Sequence, residues 1–291
     1  MKVSIIVINW NGEDKLRRFL PEILKVKGVD EFIVTDDASS DKSVEMIERN
    51  FPEIKLVKRV QNEGFSSNAN SGVKEAKGDL VFLLNPDAIP QPDCVEKSLI
   101  YFKDQEVFSI GCNTGGNWSW AKFENGFFWH YMAHGTVQTH QTLWARGGSG
   151  IFRKKVFEEL GGMDEIMNPY YEEDMDLGYR AVKRGYKNLW VKECLVRLPE
   201  EKGVIEANIP KLKFSKIAER NQLIFIWKNI TDPKFVWEHI FNLLKHLILH
   251  PGYFKIFFAA AVKLPAIINK RSVEVSRAKL TDREIFTKYR V

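Results

Sequence analysis

Short β-branched runs alternate with amphipathic stretches through about the first hundred residues of this chain, and a sheet covered by helices on both faces accommodates that rhythm. Val3–Asn9 (VSIIVIN) reads as a buried strand. From Glu13 the apolar positions Leu16, Phe19, Leu20, Ile23 and Leu24 recur at helical spacing, and Gly28 closes the helix. Glu31–Asp36 is a second strand, followed by a helix starting near Asp41, whose short side chain suits an N-cap. A third strand, IKLVKRV, runs from Ile54; a helix rich in small residues follows the Asn62-Glu63-Gly64 turn to about Lys77, and DLVFLLN ends at Asn85. This order predicts an α/β fold with a doubly wound, mostly parallel sheet, whose ligands sit beyond the carboxyl ends of the strands.

Those ends carry the candidates: Asn9, Trp10 and Asn11 after the first strand, Asp36 and Asp37 after the second, Asn62 to Gly64 after the third, and Asn85, Pro86 and Asp87 after the fourth. Any one such turn needs no function, since Asn, Asp, Gly and Pro form turns everywhere. Four in series, with acids beside one crevice, point to a nucleotide site.

The 291 residues allow one large domain, or one with an appendage. With 44% hydrophobic and 28% charged residues, disorder and collagen-like architecture are excluded. Cys94, Cys112 and Cys194 are scattered, which argues against a disulfide framework or a structural zinc site and for a reducing compartment. The N-terminal apolar run is too short for a signal peptide. The net charge of +5 hides an asymmetry: residues 1–210 carry 27 Lys and Arg against 32 Asp and Glu, residues 211–291 carry 16 against 6. An acidic body suits a cation, and a basic tail suits an anionic surface.

Between Asn113 and Trp144 the rhythm breaks. Trp118, Trp120, Phe127, Phe128, Trp129, Tyr131 and Trp144 lie among His130, His134 and His140. An irregular acceptor-facing segment is expected, its aromatics stacking on a sugar or covering the sheet. Then RGGSGIFRKKVFEELGGMDE gives a strand, a helix from about Lys154 and a stop at Gly161-Gly162, before NPYYEEDMDLGYRAVKRGY places Glu172, Glu173, Asp174 and Asp176 at the start of a helix ending at Gly185. A helix N-terminus favours one such charge. Four acids in five residues raise one another's pKa, a cost that a cation or substrate would use.

The series VSIIVINWN, IVTDDASSD, NEGFSSNANSG, GDLVFLLNPDA, GGMDE and YYEEDMDLGYR, in this order, resembles the family 2 inverting glycosyltransferases of the GT-A fold, over about Val3 to Asn229. Asn-Pro-Asp together with NEGF is most similar to the bacterial rhamnosyltransferase branch. The resemblance implies a nucleotide-sugar-binding half (1–112), an acceptor-binding half (113–230) and a separate tail (231–291). It puts Asp36 or Asp37 on the donor base and Trp10 beside the nucleotide, where relatives have a tyrosine. Gly64 would allow close backbone approach, with Asn9, Asn68, Asn70 and Asn85 on the same crevice. Asp87 matches the last acid of the family's DxD motif, which holds Mg²⁺ or Mn²⁺ on the donor diphosphate. Asn85 replaces the first acid, so the substrate's phosphates would supply most ligands, and Arg197 or Leu198 stands where many relatives have a metal-binding histidine. Asp174 matches the catalytic base, with Glu173 beside it; Asp176 would cap the helix or pair with Arg180; Gly148, Trp144, Tyr171 and Glu172 would meet the acceptor.

In the tail, Val236, Trp237, Ile240, Phe241, Leu244, Leu247 and Ile248 fall on one helical face with Glu238, His239, Asn242, Lys245 and His246 opposite. No stretch there reaches the roughly 20 apolar residues of a bilayer span, and basic residues flanking an apolar face mark interfacial helices. The resulting expectation is L-rhamnose transfer from dTDP-L-rhamnose to a polyprenyl-diphosphate-linked saccharide, by a peripheral enzyme at the cytoplasmic face of a bacterial inner membrane. No nucleic-acid partner is expected, and the tail could instead serve a homodimer. A sugar-1-phosphate nucleotidyltransferase would need a glycine- and arginine-rich loop where this chain has NWNGED, and a non-catalytic basic module leaves the acidic clusters without a purpose.

Overall fold

The computed structural model describes residues 1–199 and 210–289. Its strands are β1 (Val3–Asn9), β2 (Glu31–Asp36), β3 (Lys55–Lys58), β4 (Leu80–Leu84), β5 (Ile89–Pro90), β6 (Val107–Asn113), β7 (Asn117–Glu124), β8 (Phe127–His134), β9 (Thr139–Thr142), β10 (Ser149–Arg153) and β11 (Lys187–Arg197). The helices are α1 (Glu13–Ile23), α2 (Ser43–Asn50), α3 (Phe65–Glu75), α4 (Cys94–Ser98), α5 (Lys154–Glu159), α6 (Glu173–Lys183), α7 (Lys211–Asn229), α8 (Pro233–Leu249), α9 (Phe254–Ala261), α10 (Leu264–Arg277) and α11 (Asp282–Lys288). The end of VKECLVRLPEEKG, residues 200–203, lies outside the described residues.

The main sheet runs β3-β2-β1-β4-β10-β6-β11-β5, with β9 also on β11, and six of its nine strands point the same way. As the apolar runs predict, β1 and β4 are buried along their whole length, and α1 turns Leu16, Phe19, Leu20 and Ile23 inward. Because β1 lies between β2 and β4, the turns after all three open on one edge. Asp41 does help start α2: its carboxylate accepts from the Ser43 N–H at 3.0 Å, one residue ahead of the cap position.

Three expectations change. The segment 113–144 is not irregular: β7 and β8 form a hairpin, with Trp118, Ala121 and Phe128 buried. His130 and His134 lie on a strand rather than a helix, and His140 stacks on Trp118 at 4.3 Å. The tail is not an appendage. Leu243, Leu247, Ile256, Ile267, Ile285 and Phe286 share one core with Tyr179 of α6 and Phe225 of α7. The buried stripe of α8 is His239, Leu243 and Leu247, whereas Trp237, Ile240, Phe241, Leu244 and Ile248 face solvent. His239, read as polar-faced, is buried and its Nε2 accepts from the Trp227 indole at 2.9 Å. Finally, the three scattered cysteines meet: the Cys194 sulfur lies 2.8 Å from Cys94 and 3.0 Å from Cys112. They are free thiols in the apolar core; burial pushes those of Cys112 and Cys194 up, whereas hydrogen bonds with Cys112 and Cys194 draw that of Cys94 down.

Buried ion pairs tie α6 to α7 and to the helices of the tail. Asp176 accepts from Arg180 at 2.7 Å and from Lys228 at 2.5 Å. Lys228 also meets Asp164 at 2.5 Å, Lys183 meets Asp282 at 2.7 Å, and Arg184 meets Glu274 at 2.6 Å. Burial alone would raise the Asp176 carboxyl, but Arg180 and Lys228 hold it below the usual range. Asp176 is therefore a structural anion, as its spacing to Arg180 foretold.

Candidate active site

The strand ends floor a cavity of about 570 Å³ lined by Asn9, Trp10, Asp37, Gly64, Asn68, Asn85 and Asp87, with Pro169, Tyr170, Tyr171, Lys213 and Ile217 on the facing wall. Most of the expected nucleotide residues are thus brought together. Asn70 is one exception and Asp36 the other. Its carboxylate is consumed below the cavity, accepting from Asn9 Nδ2 at 2.7 Å and from the Ser39 N–H and hydroxyl at 2.8 and 2.6 Å. Asp37 is the acid that opens on the cavity. Burial raises its carboxyl, opposed by the Gly64 N–H and by Arg59. Asn68 straps two strands, its amide donating to the Asn9 carbonyl at 2.9 Å.

Gly64 fits at a φ of +102°, where a Cβ would lie 2.6 Å from the Pro169 backbone. The close approach it permits is to the facing wall, sealed by the Phe65 N–H donating to the Pro169 carbonyl at 2.8 Å. That wall is held by α7. Asn221 Nδ2 donates to the carbonyls of Met167, Tyr170 and Tyr171, and Arg220 to that of Asn168. Tyr171 and Glu172 both sit at a φ of +73°, a region non-glycine residues avoid, immediately before α6. The anchors from α7 hold this strained pair and so fix where the first turn of α6 points.

Two expectations for the acceptor side are corrected. Trp144 is buried against Gly178, where a Cβ would lie 2.3 Å from its own Cβ. Gly148 faces Asn85: a Cβ there would lie 2.5 Å from the amide, and the Asn85 N–H donates to the Gly148 carbonyl at 2.9 Å. Asn70, placed on the crevice, instead caps the Met163 region, donating to that carbonyl at 2.8 Å. The neighbour of Gly148 completes a link: the Gly147 N–H donates to Asp174 Oδ2 at 3.2 Å. The turn 146–148 therefore joins the Asn85-Pro86-Asp87 turn to the acids of α6.

Those acids are not equivalent. Glu172 and Glu173 are buried, each with one carboxyl oxygen unpartnered. Burial, then the charge of Asp174, pushes Glu173 up to about 8 and Glu172 well above its usual range. Burial and the neighbouring acids thus favour the neutral form of both. Burial raises Asp174 too, but two backbone N–H groups, Arg146 and His130 oppose the rise. Neighbouring carboxyls whose surroundings push them apart mark an acid–base site, and Asp174 is the one equipped to carry charge. The action of Arg146 and His130 on Asp174 is not legible in the sequence, because nothing local shows that the turn before β10 and a residue of β8 come near the first turn of α6.

Asp87 lines the cavity as well and pairs with Lys15 of α1. Among the described residues no cluster of His, Asp and Glu completes a cation cage there. Arg197, one of the two residues at which the resemblance puts a metal-binding histidine, stands opposite Ile89 in register, two positions past Asp87. This donor set fits the habit of Mg²⁺ and similar ions of binding one or two carboxylates plus substrate phosphates.

The family described as Glycosyl transferase family 2 matches residues 4–161, more than half of the chain. A dolichol-phosphate mannosyltransferase of Pyrococcus furiosus is 29% identical over 116 residues, covering 38% of this chain and 33% of its own length. Among solved structures, GalNAc-T7 with UDP, GalNAc and Mn²⁺ superposes with a TM-score of 0.66 at 16% identity, covering 80% of this chain and 49% of that one. A mannosyltransferase of Pyrobaculum calidifontis with GDP-Man and Mn²⁺ gives 0.57 at 15% identity, covering 95% and 85%. At these identities the structural likeness is one of fold. The chain spans a third of the Pyrococcus protein and half of GalNAc-T7.

Proposed function

The chain belongs to glycosyl transferase family 2, and on that footing we propose that it is an inverting hexosyltransferase moving L-rhamnose from dTDP-L-rhamnose to a polyprenyl-diphosphate-linked saccharide. The carrying observation is the link Asp87–Asn85–Gly148–Gly147–Asp174, which couples the donor cavity to one ionisable carboxylate. In this reading Asp37 and Trp10 meet the nucleoside and Asp87 faces the diphosphate. Asp174 accepts the proton of the acceptor hydroxyl as that oxygen bonds to the anomeric carbon. The bond from that carbon to the diphosphate oxygen breaks on the opposite face, its electron pair leaving with the nucleoside diphosphate. One displacement inverts the centre. Burial favours the neutral forms of Glu172 and Glu173, and Asp174, with two backbone N–H groups, Arg146 and His130 about it, is the acid of the three best supported as an anion.

Mg²⁺ or Mn²⁺ would be held by Asp87 and the diphosphate oxygens, and when bound it offsets the charge gathering on the leaving group. The Mn²⁺ seen with two proteins of similar fold supports this use of Asp87.

The acceptor's lipid and the cytoplasmic membrane face are supported by the outer surface of α8–α10. Trp237 is 70% exposed and Phe241 69%, followed by exposed Leu244, Ile248, Phe258 and Val262, with Lys245 and Lys255 exposed between them and Lys234 ahead of them. No single described helix is long and apolar enough to cross a bilayer; the pair Pro251–Ala261 and Leu264–Arg277, bent by 65°, passes by length and composition together. Such a surface is suited to lie in the interface.

The test is incubation of the purified protein with dTDP-L-rhamnose, UDP-sugars and GDP-sugars and a polyprenyl-diphosphate-linked saccharide. Transfer with the anomeric configuration inverted supports the reading. Release of nucleoside triphosphate on adding pyrophosphate would make it a nucleotidyltransferase, and retention of configuration would remove the single-base mechanism.

A further inference from the structure

We infer that Lys15 is a diphosphate-binding residue that exchanges with the divalent cation at Asp87. The inference rests on the nucleotide reading of the cavity and adds a residue that the motif series does not contain. Strand β1 lies beside β4, so the first turn of α1 and the turn after β4 are neighbours although their residues are 72 positions apart. Lys15 leaves α1 there and pairs with the Asp87 carboxylate, and the two side chains are only 13% and 16% exposed. Asp87 also lines the cavity.

Simple electrostatics has two consequences here. A carboxylate already paired with an ammonium in a half-buried place is a poorer ligand for a divalent cation, which must displace the ammonium to bind. Asn85, standing where a second acid would be, cannot compensate because it is neutral and seated against Gly148. Conversely, Asp87 lines the cavity and Lys15 reaches it from α1, so an ammonium displaced from that carboxylate is one side chain away from a donor diphosphate bound there. Lys15 thus supplies positive charge to the diphosphate, and the metal adds to that charge rather than creating it. A lysine suits this role because its compact ammonium swings on a flexible stem.

The test compares wild type, Lys15→Met and Lys15→Arg by calorimetry with UDP, GDP and dTDP, in EDTA and in Mn²⁺. Binding of Mn²⁺ alone is followed by paramagnetic resonance. In EDTA the tightest of the three nucleotides should bind wild type and Lys15→Arg, and bind Lys15→Met about tenfold or more weakly, the loss of one charge-assisted hydrogen bond. Mn²⁺ alone should bind Lys15→Met more tightly than wild type, and Asp87→Asn should erase that gain. Unchanged nucleotide affinity of Lys15→Met in EDTA, or unchanged Mn²⁺ affinity, overturns the role of Lys15 and leaves the nucleotide site standing. If wild type binds none of the three nucleotides in either medium, the nucleotide site and this inference fall together.

Discussion

Replacing Glu173 by Gln separates the protonation of the acid group from its packing, because the amide keeps the shape and removes only the ability to ionise. The carboxyl is 8% exposed and burial lifts it from an ordinary 4.5 to about 8. Below pH 4.5 the folded and unfolded states are both protonated and the group is silent. Between 4.5 and 8 the unfolded chain has lost the proton and the folded chain still holds it, so the unfolded state binds fewer protons and stability falls as pH rises. Each pH unit is worth about 1.4 kcal/mol, so a window of roughly 3.5 units gives about 4–5 kcal/mol. The variant lacks this slope. Its unfolding free energy relative to wild type should therefore grow by about that amount from pH 4.5 to pH 8, whatever the amide does to the baseline. Urea unfolding at several pH values measures it directly, since a shift in midpoint at constant m reports stability alone. Glu172, whose carboxyl is raised partly by Glu173, reduces the difference if it begins to ionise first. A stability difference that is flat with pH would refute the claim that Glu173 is held neutral, and with it the distinction between Asp174 and its neighbours.

Asp174→Asn should lower kcat by about 10²–10⁴ while nucleotide affinity by calorimetry stays near wild type, because Asp174 does not line the cavity; loss of nucleotide binding instead would make the residue structural. Lys228→Met leaves Asp164 and Asp176 without their shared buried cation, and denaturant unfolding should show a loss of about 3–5 kcal/mol. A loss within error would mean that Arg180 and Lys270 suffice. The double change Trp237→Glu and Phe241→Glu, on side chains 70% and 69% exposed, should leave the fold intact by circular dichroism and abolish flotation with anionic liposomes. Persistent flotation would move the membrane contact elsewhere. Deletion from Thr231 is the poorer test, since it strips Leu243, Leu247, Ile256, Ile267 and Ile285 from the core they share with α6, each worth about 1.5–3 kcal/mol of burial.

How legible each residue is in the sequence depends on which physical rule it obeys. Strand ends and their turn residues are local, so Asn9, Asp37, Gly64, Asn85 and Asp87 could be found as one crevice before any coordinates existed. The choice between Asp36 and Asp37 is not local. Successive side chains alternate between the faces of a strand, and whether an acid meets Asn9 and Ser39 or the cavity depends on which face the helices cover. Trp144 and Gly148 fail for a related reason: an aromatic beside glycines reads equally as a stacking platform or as a ring needing room, and only the opposing Gly178 and Asn85 decide. The tail shows the limit of periodicity. Helix α8 has more apolar residues than one buried stripe can take, so its spacing supplies an amphipathic stripe but not the identity of the buried one, which the hairpin tip at Gly126 selects by packing on His239. Lys15 was within reach of inference. Once β1 and β4 are neighbours, a cation in the first turn of α1 and an acid just past β4 must meet, and a motif with one acid where two are usual asks where the balancing charge resides.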